Sequence, residues 1–233
     1  MLLTGPKSDL LIAKLTDERT DNESFPWLSH KSIKLCGEDT RVLKVSYAGE
    51  KGFEIHVHNG SMKKIYDELV QHGESFNLIH FGMLALDSMR LEKNYRSWKS
   101  DLTSDYTMLQ SGLEKWIKFD KGNFIGKEAL KNEFDLGTSK KFVTLVVDDP
   151  EDNKPFGEPV YLSPVFAGDD YLGPIVSSGY GHRVKKSISM AILDDRNLNG
   201  LNDQLYIDVL GRKRKAYIVN EALYDPENLK LRS

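Results

Sequence analysis

The strongest constraint on what this chain can fold into is a pair of alternating segments that meet within residues 42–58. Leu43, Val45 and Tyr47 alternate with Val42, Lys44 and Ser46. After Ala-Gly-Glu-Lys-Gly, Phe53, Ile55 and Val57 alternate with Glu54, His56 and His58. A period of two is the mark of a strand, because successive side chains leave opposite faces. Gly49 and Gly52 permit positive φ, so the segments are read as strands joined by a short hairpin connection whose turn type stays open. With Phe53, Ile55 and Val57 in a core, Glu54, His56 and His58 form a polar row on the opposite face. That row meets water or lines a site.

Composition removes several function classes. The 233 residues include 35 acidic and 32 basic ones, interspersed, for a formal charge of -3. No basic footprint points to nucleic acid or to an anionic membrane. The single cysteine, Cys36, rules out an internal disulfide and suits a reducing compartment. The expected location is the cytoplasm, or the mitochondrial matrix in a eukaryote. No apolar run approaches the roughly 20 residues that a membrane-spanning helix needs. Met1-Leu-Leu-Thr-Gly-Pro6 has neither a charged leader nor a long apolar stretch, so it is read as entry into the middle of a domain.

Along the chain, Ser8 is placed as the cap of a helix carrying Leu10, Leu11, Ile12 and Leu15. Ser32–Leu35 and Arg41–Tyr47 read as strands around Gly37-Glu38-Asp39. Asn59-Gly60-Ser61 opens a helix that packs through Ile65, Tyr66, Leu69 and Val70 and ends at His72-Gly73. In residues 83–93, Met83, Leu84, Leu86, Met89 and Leu91 wrap most of the way round a helix, which predicts burial on several sides. Asp87 and Arg90, three apart, are placed to pair on that helix or to serve a ligand. Residues 112–119 alternate like a strand, and residues 124–131 begin a short helix.

A polar stretch near 132–140 marks a boundary between a first part, residues 1–135, and a second, residues 136–233. The second part is strand-rich: 141–147, 159–162, 173–177, 187–193, 204–209 and 214–219. Turn-rich separators give it the spacing of a small antiparallel barrel or sandwich.

Motif by motif, the chemistry is sparse. One cysteine cannot supply thiolate zinc or redox patterns. Glu54, His56 and His58 offer ligands from one strand face, but no further ligand is identifiable, so no metal is assigned. Residues 126–128 lack the upstream glycine of a P-loop, residues 177–181 have the wrong spacing for a dinucleotide fingerprint, and no Gly-x-Ser-x-Gly elbow is present.

Five ordered segments carry a resemblance. They are Leu2-Leu-Thr-Gly-Pro6, Tyr47-Ala-Gly-Glu-Lys-Gly-Phe-Glu54, Asp87-Ser-Met-Arg-Leu-Glu-Lys93, Gly112-Leu-Glu114 with Phe124-Ile-Gly-Lys-Glu-Ala-Leu130, and Leu172–His182 with Lys186–Ala191. Together they resemble the aminomethyltransferase family, which includes the glycine cleavage T-protein and the folate domain of dimethylglycine and sarcosine dehydrogenases. Residues 89–98 are similar to the dehydrogenase branch, and Leu86 stands where T-proteins carry an arginine.

The resemblance implies an α+β protein: an incomplete aminomethyltransferase-type folate-binding domain followed by a small antiparallel β-barrel or sandwich domain. It implies tetrahydrofolate as cofactor, bound through Tyr47 and Glu54, with His56 and Arg90 as further folate-binding candidates. It implies transfer of a one-carbon unit from an amine-derived donor to folate. The family's acidic catalytic residue lies upstream of the Gly-Pro segment, so no catalytic residue is assigned within this chain. Any FAD belongs to a missing or separate flavin dehydrogenase domain or subunit, and the chain is expected to be a truncated piece, inactive alone, or a subunit that another chain completes. A folate-dependent demethylase and a non-catalytic folate-binding assembly factor are the alternatives within the same family.

Overall fold

The computed structural model describes residues 1–148, 157–195, 198 and 205–232. Internal contacts divide the chain into two compact units, Met1–Lys93 with Tyr224–Ser233, and Asn94–Leu223. The compositional boundary near residue 135 lies inside the second of these.

In the first unit, β1 (Leu2–Thr4), β4 (Gly52–Val57), β3 (Glu38–Leu43) and β2 (His30–Leu35) form an antiparallel sheet in that spatial order. Its alternation decides the layering. Leu3, Ile33, Leu35, Val42, Phe53 and Ile55 point into one core with Phe25. Helices α1 (Ser8–Ala13) and α2 (Asn59–Gly73) cover that side through Leu11, Ile12, Ile65 and Leu69. The β2–β3 connection is the two residues Cys36 and Gly37, with φ of 52° and 81°. Positive φ at both central positions is what a tight hairpin with native twist requires.

Three expectations are corrected here. The β3–β4 connection is not a short hairpin: β3 ends at Leu43 and β4 begins at Gly52, so Tyr47 sits in a loop. Gly49 has a φ of +80°, whereas Gly52 is required for space, since a Cβ there would stand 3.0 Å from the Val45 carbonyl oxygen. Ser8 is the first residue of α1 rather than its cap, a position held by Lys7 without a side-chain bond. Helix α3 (Met83–Glu92) buries only its last turn, while Met83 and Leu84 are 76% and 89% exposed. Apolar character permits burial but does not supply a neighbour.

In the second unit, β5 (Lys140–Val147), β6 (Pro164–Ala167), β7 (Asp170–Gly181), β8 (Lys186–Asp194), β9 (Leu205–Val209) and β10 (Arg212–Val219) close into a barrel in the order β10-β5-β8-β7-β6-β9. The expected small antiparallel barrel is therefore present. Gln204, placed in a strand from sequence, lies outside the described residues. Closure leaves no open sheet edge among these strands. Val143, Leu145 and Val147 fill the interior with Val165, Ile175, Leu193 and Ile207. The intervening Phe142, Thr144 and Val146 are buried as well. Residues 94–112 account for part of this: the Arg96 guanidinium lies 4.2 Å from the Phe142 ring centre, and Thr144 donates to Asn94 Oδ1 at 2.7 Å.

Two further strand expectations fail. Residues 112–119 hold a 3-10 turn, Glu114–Trp116, because Gly112 is left-handed and its carbonyl is taken by Arg96. Residues 159–162 form a turn closed between Val160 and Ser163, with Leu162 at a φ of 68°. Helix α4 (Lys127–Leu136) precedes the barrel, and α5 (Leu229–Arg232) follows it. No helix among the described residues is long and apolar enough to cross a membrane.

Gly173 tests the barrel packing. A Cβ there would collide with the Ile192 carbonyl oxygen, at a backbone φ of +154°. Gly173→Ala should lower stability by about 3 kcal/mol, the scale of left-handed strain combined with a core clash. Denaturant titration is the measurement, and a wild-type midpoint would contradict the close approach.

Candidate functional site

Packing Phe53 and Ile55 inward leaves Glu54 and His56 on the sheet face opposite the core. Across the strands, His56 stands beside Arg41 and Arg41 beside Ser32, while Glu54 stands beside Leu43 and Leu2. Glu54 and His56 approach each other, Oε2 to Nε2, at 3.4 Å, with side chains 45% and 58% exposed. A shallow depression on this unit is bordered by Ser32, Asp39, Arg41, Leu43, His56 and His58. His56 thus both touches Glu54 and borders the depression. The arrangement offers an accessible carboxylate acceptor, an imidazole and a guanidinium on a rigid strand pair.

The other candidates are placed differently. His58 does not extend the polar row freely: it caps α2, its Nδ1 accepting from the Gly60 amide at 3.2 Å. Tyr47 lies half-buried in the 44–51 loop. Arg90 is 2% exposed and donates from Nε to Asp87 Oδ1 at 2.6 Å, three residues back on α3. The sequence spacing had put those two within reach of each other, and they are paired.

Sequence reasoning missed the residues that hold the loop carrying Tyr47. Lys93, buried at the end of α3, donates from Nζ to the Asp225 carbonyl at 2.6 Å and to Asn228 Oδ1 at 2.8 Å. It also lies 3.4 Å from Asp225 Oδ2. Tyr224 donates from its hydroxyl to Glu50 Oε1 at 2.5 Å. The one local signal was Asp225-Pro226 followed by Asn228 and the apolar Leu229 and Leu231, a pattern that starts a short helix. Asp225 does cap α5, accepting from the Lys230 and Leu231 amides at 3.1 and 3.3 Å. Burial opposes its charge, but these amides and the Lys93 charge outweigh it and hold the carboxyl below its ordinary value.

Two family models match this chain, one after the other along the sequence. The GCVT N-terminal domain matches residues 1–121, and the glycine cleavage T-protein C-terminal barrel domain matches residues 140–225. The chain belongs to the glycine cleavage T-protein, or aminomethyltransferase, family. Among its relatives, an aminomethyltransferase from a Thermoanaerobacter species is 30% identical over 225 residues, covering 96% of this chain and 59% of that one. Human mitochondrial dimethylglycine dehydrogenase is 29% identical over 226 residues, covering 95% of this chain and 25% of that one. Mouse mitochondrial sarcosine dehydrogenase is 26% identical over 237 residues, covering 99% and 25%. The crystal structure of glycine cleavage system aminomethyltransferase T from Bartonella henselae superposes with a TM-score of 0.80 at 21% identity, over 97% of this chain and 59% of that one. That last likeness establishes the fold. The chain thus spans between a quarter and three-fifths of the length of these relatives.

Asp225 gives a pH test. A carboxyl whose pKa is lowered by folding contributes stability that is present above its unfolded value, about 3.9, and lost as pH falls through the folded value. Urea unfolding should show wild type losing stability steeply below about pH 4. Asp225→Asn should be weaker than wild type at pH 7 and flatter across that window. Parallel pH profiles for the two would contradict the capping role.

Proposed function

We propose that this chain is a tetrahydrofolate-binding module for one-carbon transfer, working within an enzyme like dimethylglycine or sarcosine dehydrogenase. The observation that supports it most is the accessible Glu54 carboxylate beside His56, on a strand fixed by Phe53 and Ile55. A pterin carries a donor-rich edge and a flat π face. A carboxylate able to accept two hydrogen bonds suits the first, and a tyrosine ring suits the second. Glu54 holds the edge, Tyr47 offers its face, and His56 steadies the carboxylate. Bound tetrahydrofolate supplies N5 as the nucleophile toward an amine-derived one-carbon unit. The role of these side chains is to bind, orient and polarise rather than to supply a nucleophile.

Folate recognition is assigned to residues 1–135 and a supporting barrel to residues 136–233. A flavin dehydrogenase domain or subunit generates the one-carbon donor and holds any FAD. The dehydrogenase context is supported by the resemblance of residues 89–98 and by the names of two relatives. The compartment proposed is the cytoplasm, or the matrix if the source is eukaryotic.

Tetrahydrofolate should bind the chain measurably by titration calorimetry. Glu54→Ala should weaken binding by about 2 kcal/mol, roughly thirtyfold, for loss of a charged hydrogen-bonding partner. Unchanged affinity would sink the assignment. Arg90→Leu should lower the melting temperature, since Arg90 is buried and paired with Asp87. A fully stable Arg90→Leu variant that no longer binds folate would move Arg90 from the fold to the site.

A further inference from the structure

Three contacts converge on residues 49 and 50 of the 44–51 loop, two from Tyr224 near the far end of the sequence and one from Lys93. Tyr224 donates its hydroxyl to Glu50. Its ring also faces Gly49, where a Cβ would stand 3.5 Å from Tyr224 Cδ1. The Lys93 stem lies directly against Gly49, with a Cβ there only 2.5 Å from Lys93 Cγ. Meanwhile the Lys93 ammonium is held by Asp225 and Asn228.

The two ends of the same loop are tied elsewhere. At its start, the Lys44 amide donates to the Ser29 carbonyl at 3.0 Å, and the Lys44 ammonium reaches Asn22 Oδ1 at 2.6 Å. At its end, the Lys51 carbonyl accepts from the Gly5 amide at 2.9 Å and from Thr4 Oγ1 at 3.0 Å. Tyr47 lies between these ties, next to the stretch that Tyr224 and Lys93 brace. The 224–232 segment is itself anchored: the Tyr224 amide donates to the Glu92 carbonyl at 3.0 Å, Asn22 donates to the Arg232 carbonyl at 3.2 Å, and Leu231 is buried.

We propose that residues 224–232 form a strap, with Tyr224 as its positioning residue, that fixes the 44–51 loop and so presents Tyr47 to folate; this rests on the folate reading above. Tyr224 touches no ligand in this scheme and acts through Glu50 and Gly49. The strap therefore sets ligand affinity more than it sets global stability, because its hydroxyl bond ends on a loop rather than in the core.

The test uses the full 233-residue chain and two readouts: amide hydrogen exchange of residues 46–50 and tetrahydrofolate affinity by calorimetry. Tyr224→Phe removes only the hydroxyl. It should speed exchange in 46–50 and weaken folate binding by about tenfold, the scale of one hydrogen bond to a charged group, with the melting temperature close to wild type. Glu50→Ala should do the same, Glu50→Gln should recover most of the affinity because it keeps an acceptor oxygen, and Tyr224→Phe with Glu50→Ala together should be no worse than either alone. Unchanged exchange in Tyr224→Phe overturns the strap. Faster exchange with wild-type affinity overturns its link to the ligand. Absence of tetrahydrofolate binding by the wild-type chain overturns the folate reading and the positioning role with it, and is distinguished from the other outcomes because it precedes any mutation.

Discussion

A lysine ammonium removed from water is the constraint around which the first unit closes. Left unpaired, a buried cation costs several kcal/mol, so the Lys93 side chain needs oxygen partners within reach. Those partners come from Asp225 and Asn228, more than a hundred residues along the chain. The same unit buries a second cation, Lys44, and answers it in another way. Its ammonium meets the Asn22 amide oxygen and lies 5.8 Å from the ring centres of both Phe25 and Phe53. Burial pulls the Lys44 pKa down from its ordinary value. Two buried lysines thus flank the loop that carries Tyr47, one tied to the tail and one to the sheet core.

Strand alternation made the sheet legible. Once Phe53 and Ile55 are assigned to a core, Glu54 and His56 have only one face left, and they meet there. The barrel was legible for a different reason: runs of strand-forming residues are separated by turn formers. Where alternation misled, a local backbone feature had taken over. Gly112 is left-handed with its carbonyl already bonded, and the segment after it turns instead of pairing. Pairing in a sheet needs a partner strand, and no single segment announces whether one exists.

The site was legible in part. The Asp87–Arg90 contact follows from helical spacing, which brings residues three apart onto one side. His58 was read as part of the polar row because the strand pattern runs through it. The helix beginning at Asn59 takes it as a cap, a competing local use of the same side chain. The passage from β3 into β4 carries two glycines, Gly49 in the loop and Gly52 at the start of β4, that looked alike in sequence. One is there for its φ and the other for the carbonyl oxygens of Leu3 and Val45 that press against it. Nothing local links Tyr224 to Glu50, because that pairing exists only once the tail has returned.

The return of the tail has a consequence for how the protein is made. Lys93 and Tyr224 flank the whole second unit in sequence, and the Tyr224 amide is bonded to the Glu92 carbonyl. In chain order the barrel unit is therefore an insertion into the first unit. On the ribosome, the barrel sequence is complete before the first unit has all of its parts. At typical translation rates Lys93 waits on the order of ten seconds for the residues that pair with it. Until then the segment bearing Tyr47 and Glu50 lacks its brace, so the first unit to begin synthesis is the last able to finish folding.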